Sequence, residues 1–156
     1  MLNQGLLQEL QNYIDKRFAL SATRPILCNE PFLEDIQDYI KTNRRPAFNQ
    51  LLLNLIDQKG YSDPTIYKKA GIDRRHFSKI RSNSNYRPGK DTIISLALAL
   101  ELTLEEAEDL LSSVGYSFSD SEPFDLAIQF CIERQIYKLD DVNLALDHLE
   151  LKVLGD

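Results

Sequence analysis

Residues 90–100, "KDTIISLALAL", present apolar side chains at nearly every angle around a helix. A helix on a protein surface needs one polar face, so a segment like this one belongs in the middle of a bundle, surrounded by other helices. That requirement constrains the chain more than any other feature, because the flanking sequence must provide the neighbours. It does so with helical periodicity and not with the alternation of strands. Residues 116–118 and 136–139 are the only stretches expected to pair briefly as strands, and the fold class expected is all-α.

The neighbours are delimited by their own start and stop signals. Phe48, Leu51, Leu52, Leu55 and Ile56 form one stripe on a helix expected from Ala47 to Lys59, which Gly60 terminates. Ser62 or Asp63, followed by Pro64, opens a short helix ending at Ala70, after which Gly71 and Ile72 make a tight turn. Asp73 is placed to cap a helix from Arg74 to Ser82. Thr103 and Glu106 have the spacing of a capping box, opening a helix expected to end at Gly115. Two further helices are expected over 122–134 and 140–149. On the N-terminal side, Leu6, Leu7, Leu10, Ile14 and Phe18 fall at helical spacing until "ALSATRP" interrupts them. A second helix is expected from Pro31, burying Leu33, Ile36 and Ile40.

The "TNRRP" stretch, residues 42–46, marks a boundary between an N-terminal helical arm (1–45) and a main domain (46–115). Residues 116–156 form a C-terminal helical extension expected to pack on that domain or on a partner. Tyr116, Phe118, Phe124, Phe130 and Tyr137 read as a second small core there. A chain of 156 residues with 43% apolar and 27% charged composition buries a core without staples. No basic-then-apolar leader pattern or membrane-length apolar run is present, so a cytoplasmic protein is expected. Cys28 and Cys131 lack metal or redox spacing and read as free thiols in or near packing surfaces.

Charge is strongly segregated. Residues 68–90 hold eight bases and one acid, whereas residues 91–156 hold three bases and fifteen acids, in a chain of net charge −6. A low overall potential steers a polyanion poorly, but a local patch of this density can hold one. The basic block surrounds the Gly71 turn, and helix, glycine turn and base-rich helix in succession are the sequence form of a helix-turn-helix. At 100° per residue, Phe77 and Ile80 fall on one side of helix 74–82, and Arg75, Ser78, Lys79 and Ser82 on the other.

The "AGI" turn, the "FSKI" pattern, "RPGKDTI" at the start of the following helix and "ALALELTLEEAEDLL" resemble the Cro and phage-repressor class, the XRE-type helix-turn-helix, over residues 48–111. Asp63, Tyr67 and Arg81 depart from that family's usual residues, and the loop "SNSNYRPG" is longer. The resemblance implies a five-helix repressor-like core with additional N- and C-terminal helices. It implies a bacterial or phage transcriptional regulator that binds double-stranded DNA sequence-specifically, as a dimer over two half-sites. Helix 74–82 is then the recognition helix, with Arg74, Arg75, His76, Ser78 and Lys79 available to base edges or phosphates. Lys68, Lys69, Arg87 and Lys90 are then placed against backbone phosphates.

Other readings of the same residues stay open. The basic cluster suits a solvated face, or an acidic surface of the same chain or a neighbouring copy, which makes a non-enzymatic protein-interaction module the alternative, for example an immunity or toxin-antitoxin component. The acidic, apolar C-terminal helices suit a homo-oligomer or protein partner. His76 suits packing as well as nucleic-acid contact. His76 and His148 have no neighbours at metal-ligand spacing, and no phosphate loop, nucleophile elbow or dinucleotide fingerprint occurs. Neither a metal, a cofactor nor an enzymatic activity is expected.

Overall fold

The computed structural model describes residues 4–26 and 30–155, the side chains of 17–26 excepted. The helices, in chain order, are α1 (Gln4–Ile26), α2 (Glu30–Asn43), α3 (Phe48–Lys59), α4 (Asp63–Lys69), α5 (Arg74–Ser82), α6 (Lys90–Ala99), α7 (Leu104–Ser112), α8 (Pro123–Glu133) and α9 (Leu139–His148). Among the described residues there is no strand, so residues 116–118 and 136–139 do not pair as expected, and Leu139 begins a helix instead. The chain divides into two compact units, Met1–Arg44 and Arg45–Asp156. No described helix is long and apolar enough to cross a membrane.

The first unit departs from expectation in two ways. α1 continues through "ALSATRP", because Ala19, Leu20, Ala22 and Arg24 favour a helix and Pro25, near its end, removes only one backbone hydrogen bond. α2 buries none of its residues, and Leu33, Ile36 and Ile40 are 45%, 39% and 51% exposed. Periodicity creates an apolar stripe, but burial needs a surface opposite it. Cys28 and the side chain of Phe18 lie outside what the structure describes.

In the second unit, α6 occupies the centre demanded by its sequence: every residue from Ile93 to Leu100 is buried. α4, α7 and α9 pack around it, with α3 against α5 and α7, and α8 against α7 and α9. The C-terminal helices therefore join the same core and leave no boundary near residue 115. Ile128, Cys131, Ile132, Val142, Leu146 and Leu154 are continuous with Leu52, Ile66, Ile80 and Leu110. The second small core expected from the aromatic residues is not separate, since Tyr116, Phe118, Phe124 and Tyr137 are half-buried against this one. Phe130 stays 53% exposed, its ring 5.0 Å from the Arg134 guanidinium. Burial raises the Cys131 thiol's pKa above its ordinary value.

Six helices of this unit stop in the same way. A left-handed residue follows the last turn, and the next residue's amide reaches back five positions to a helix carbonyl: Tyr61 to Ile56, Ile72 to Tyr67, Leu102 to Ala97, Tyr116 to Leu111, Ile136 to Cys131 and Leu151 to Leu146, at 2.8–3.2 Å. The returning side chain is apolar or aromatic each time and buried or half-buried, which closes the helix end over the core. Glycine fills the left-handed position at Gly60, Gly71 and Gly115, but Glu101, Gln135 and Glu150 fill it at φ 55°, 59° and 59°. α5 alone among α3–α9 ends differently, running out through Asn83 in an extended conformation.

Candidate nucleic-acid interface

The basic block lies on α4, the turn after it, and α5. Ser62 caps α4 by accepting from the Thr65 amide at 3.4 Å, and Gly71, at φ 68°, turns the chain back. Asp73 caps α5, its carboxylate accepting from the Arg75 amide at 3.3 Å. The single acid of the basic block is thus held at a helix N-terminus, where its charge is favourable. Tyr67 and Phe77 pack across the two helices with ring centroids 5.7 Å apart and planes tilted by 44°, so the larger residue at position 67 fills the joint. Phe77 and Ile80 are buried, fixing which face of α5 points outward.

That outward face carries Arg74, Arg75, Ser78, Lys79 and Ser82, all exposed. Among the described residues no acidic side chain pairs with Arg74, Arg75, Lys79 or Arg87. Lys79 is held over the Tyr86 ring, its ammonium 4.4 Å from the centroid. His76 is half-buried, its Nε2 3.1 Å from the Tyr86 hydroxyl and its ring edge-on to Tyr86. These contacts give His76 a packing partner in Tyr86. The long loop is pinned, with the Asn83 side chain accepting from the Asn85 amide at 3.0 Å and Pro88 buried.

One expected partner of the ridge is placed otherwise. The Lys90 ammonium is drawn inward, donating to Asp125 at 2.6 Å, because that carboxylate is buried and needs a counter-charge. Lys90 therefore does not stand with the cations facing outward. Lys68 and Lys69 remain exposed in the last turn of α4, and the Lys69 ammonium lies 4.9 Å from the Tyr61 ring centroid. Asp63 and Arg81, two of the departures from the repressor pattern, meet in an ion pair between the start of α4 and the end of α5.

Tyr61, Tyr86 and Asp125 carry no local signal of these roles in the sequence, since each acts on a residue reached through the fold. No described cluster of His, Cys, Asp or Glu is arranged to hold a metal ion. No known protein family, curated protein or solved structure matches the chain.

Proposed function

We propose that residues 48–111 form a helix-turn-helix domain of the Cro and phage-repressor type, and that the protein is a non-enzymatic, sequence-specific DNA-binding regulator. The observation that carries this reading is the outward face of α5, where Arg74, Arg75 and Lys79 stand exposed without an acidic partner among the described residues. Cations left in water on a short helix, with apolar residues locking its opposite face, suit a polyanion that supplies the missing counter-charges. Arg75 and Ser78 then face base edges. Lys68, Lys69, Arg74 and Arg87 then meet phosphates. A nine-residue helix reads few base pairs, so the active species is a dimer across two half-sites.

Fluorescence anisotropy with a mixed-sequence duplex over a range of salt tests the reading. Binding through about four phosphates gives a log-log salt slope near −3.6, at roughly −0.9 per contact. A slope near zero, or no binding at low salt, rejects it. The acidic surface of a second copy is the competing partner, and it predicts instead that light scattering shows salt-sensitive self-association without DNA.

A further inference from the structure

A cavity of about 640 Å³ opens between the end of α4, the end of α6 and the start of α9. We infer that it binds a small amphipathic organic anion, with a carboxylate or phosphate head on its lysines and a short apolar body on its floor. The inference shares Lys68 and Lys69 with the DNA-binding reading but does not rest on it. Lys68, Lys69 and Lys138, from two separate segments, line one space and outnumber the two carboxylates there, Glu101 and Asp140. Lysine ammoniums are point charges with free donors, suited to an anionic head of either geometry. α9 has no side-chain cap at Lys138, but Asp140 and Asp141 in its first turn offset its positive end, so the lysines carry the anion's counter-charge.

The floor is apolar where Leu98, Ala99 and Leu139 line it. The Tyr137 hydroxyl donates to the Leu102 carbonyl at 3.1 Å, and burial first, then the nearby Glu101 charge, raises its pKa, so that wall stays neutral. Size, an apolar floor and a few convergent charges are the features of small-molecule sites. Leu139 also rests against the turn between α4 and α5: its Cδ2 lies 3.2 Å from where a side chain on Gly71 would begin. An occupant of the cavity therefore touches the turn that sets α5.

An amide-shift NMR titration of the full chain tests this, using hexyl phosphate, hexanoate, hexanol and inorganic phosphate in separate arms. Hexyl phosphate or hexanoate is expected to give saturable shifts at Gly71, Leu98 to Glu101 and Lys138 to Asp140, and the tighter of the two identifies the head group. Hexanol and inorganic phosphate, each carrying half of the recognition, are expected not to saturate. Lys138→Glu, at an exposed position outside the proposed DNA face, should weaken binding about fivefold or more, as one nearby charge reversal implies. Shifts confined to α5, equal binding by hexanol, unchanged affinity in K138E, or no saturable shift with either anion would each overturn the site.

Discussion

The Lys90 ammonium donates to the buried Asp125 carboxylate at 2.6 Å, and the same oxygen accepts the Ser119 amide at 2.7 Å. One side chain of α8 thereby ties the start of α6 to the loop before α8. Asp125 is 2% exposed, so removing one partner strands the other. Lys90→Ala, which leaves that carboxylate buried without its counter-charge, is expected to cost about 3–5 kcal/mol, more than an ordinary surface ion pair contributes. Urea denaturation at neutral pH measures it, and a loss under 1 kcal/mol, the surface-pair range, contradicts the structural role.

The Asp63–Arg81 pair behaves differently because the Arg81 side chain is 58% exposed. Asp63→Ala should change stability by no more than about 1 kcal/mol. It removes an acid beside the proposed DNA face and releases a cation there, so duplex affinity should rise in low salt. Parallel melting curves and anisotropy titrations of the parent and D63A measure the two effects.

Arg75 and Arg87 separate specificity from affinity if α5 reads the major groove. Arg75→Ala should reduce discrimination between a selected site and random duplex by about 1–3 kcal/mol. Arg87→Ala should weaken binding to both alike and make the salt slope about one unit shallower. Equal effects of the two changes on both duplexes would place base reading elsewhere.

The capping box of α7 makes stability depend on pH in a known direction. Thr103's side chain accepts the Glu106 amide at 3.2 Å while Glu106 accepts the Thr103 amide at 3.0 Å. That backbone hydrogen bond, followed by the attraction of Lys59, holds the Glu106 pKa below its ordinary value against opposing desolvation. A lowered pKa in the folded state gives stabilisation that is whole above the ordinary glutamate value of about 4.3 and drains as pH falls through the folded value. Glu106→Gln should therefore be less stable than the parent at neutral pH and match it in acid. Thr103→Ala should cost about 1 kcal/mol at either pH.

What the sequence made legible was local. Asp73 and the Thr103–Glu106 pair sit within four residues of the amides they cap, so spacing alone placed them, whereas at α4 it left Ser62 and Asp63 both open and the fold selects Ser62. The burial of α6 was equally plain, because a helix without a polar face has one possible environment. Lys90 was not legible, since its partner lies 35 residues away and only the packing of α8 brings it there. Arg81 and Asp63 looked like two unrelated oddities until the turn between α4 and α5 joined them. The stripe of α2 shows the reverse error: Leu33, Ile36 and Ile40 have the spacing of a buried face, but spacing does not supply a covering surface. Of the basic ridge, the outward direction of Arg75 and Lys79 followed from Phe77 and Ile80, whereas the tyrosine rings beneath Lys69 and Lys79 did not.

Three of the six left-handed helix stops are occupied by residues with a β-carbon, at Glu101, Gln135 and Glu150. A non-glycine residue in that conformation costs roughly 1 kcal/mol, part of which glycine would return against its greater freedom when unfolded. The folded chain thus holds strain at three helix ends that a glycine would relieve. Gln135→Gly and Glu150→Gly together should raise the midpoint of thermal melting by a few degrees, offering a hardened background in which the costlier changes above can be studied without unfolding the protein.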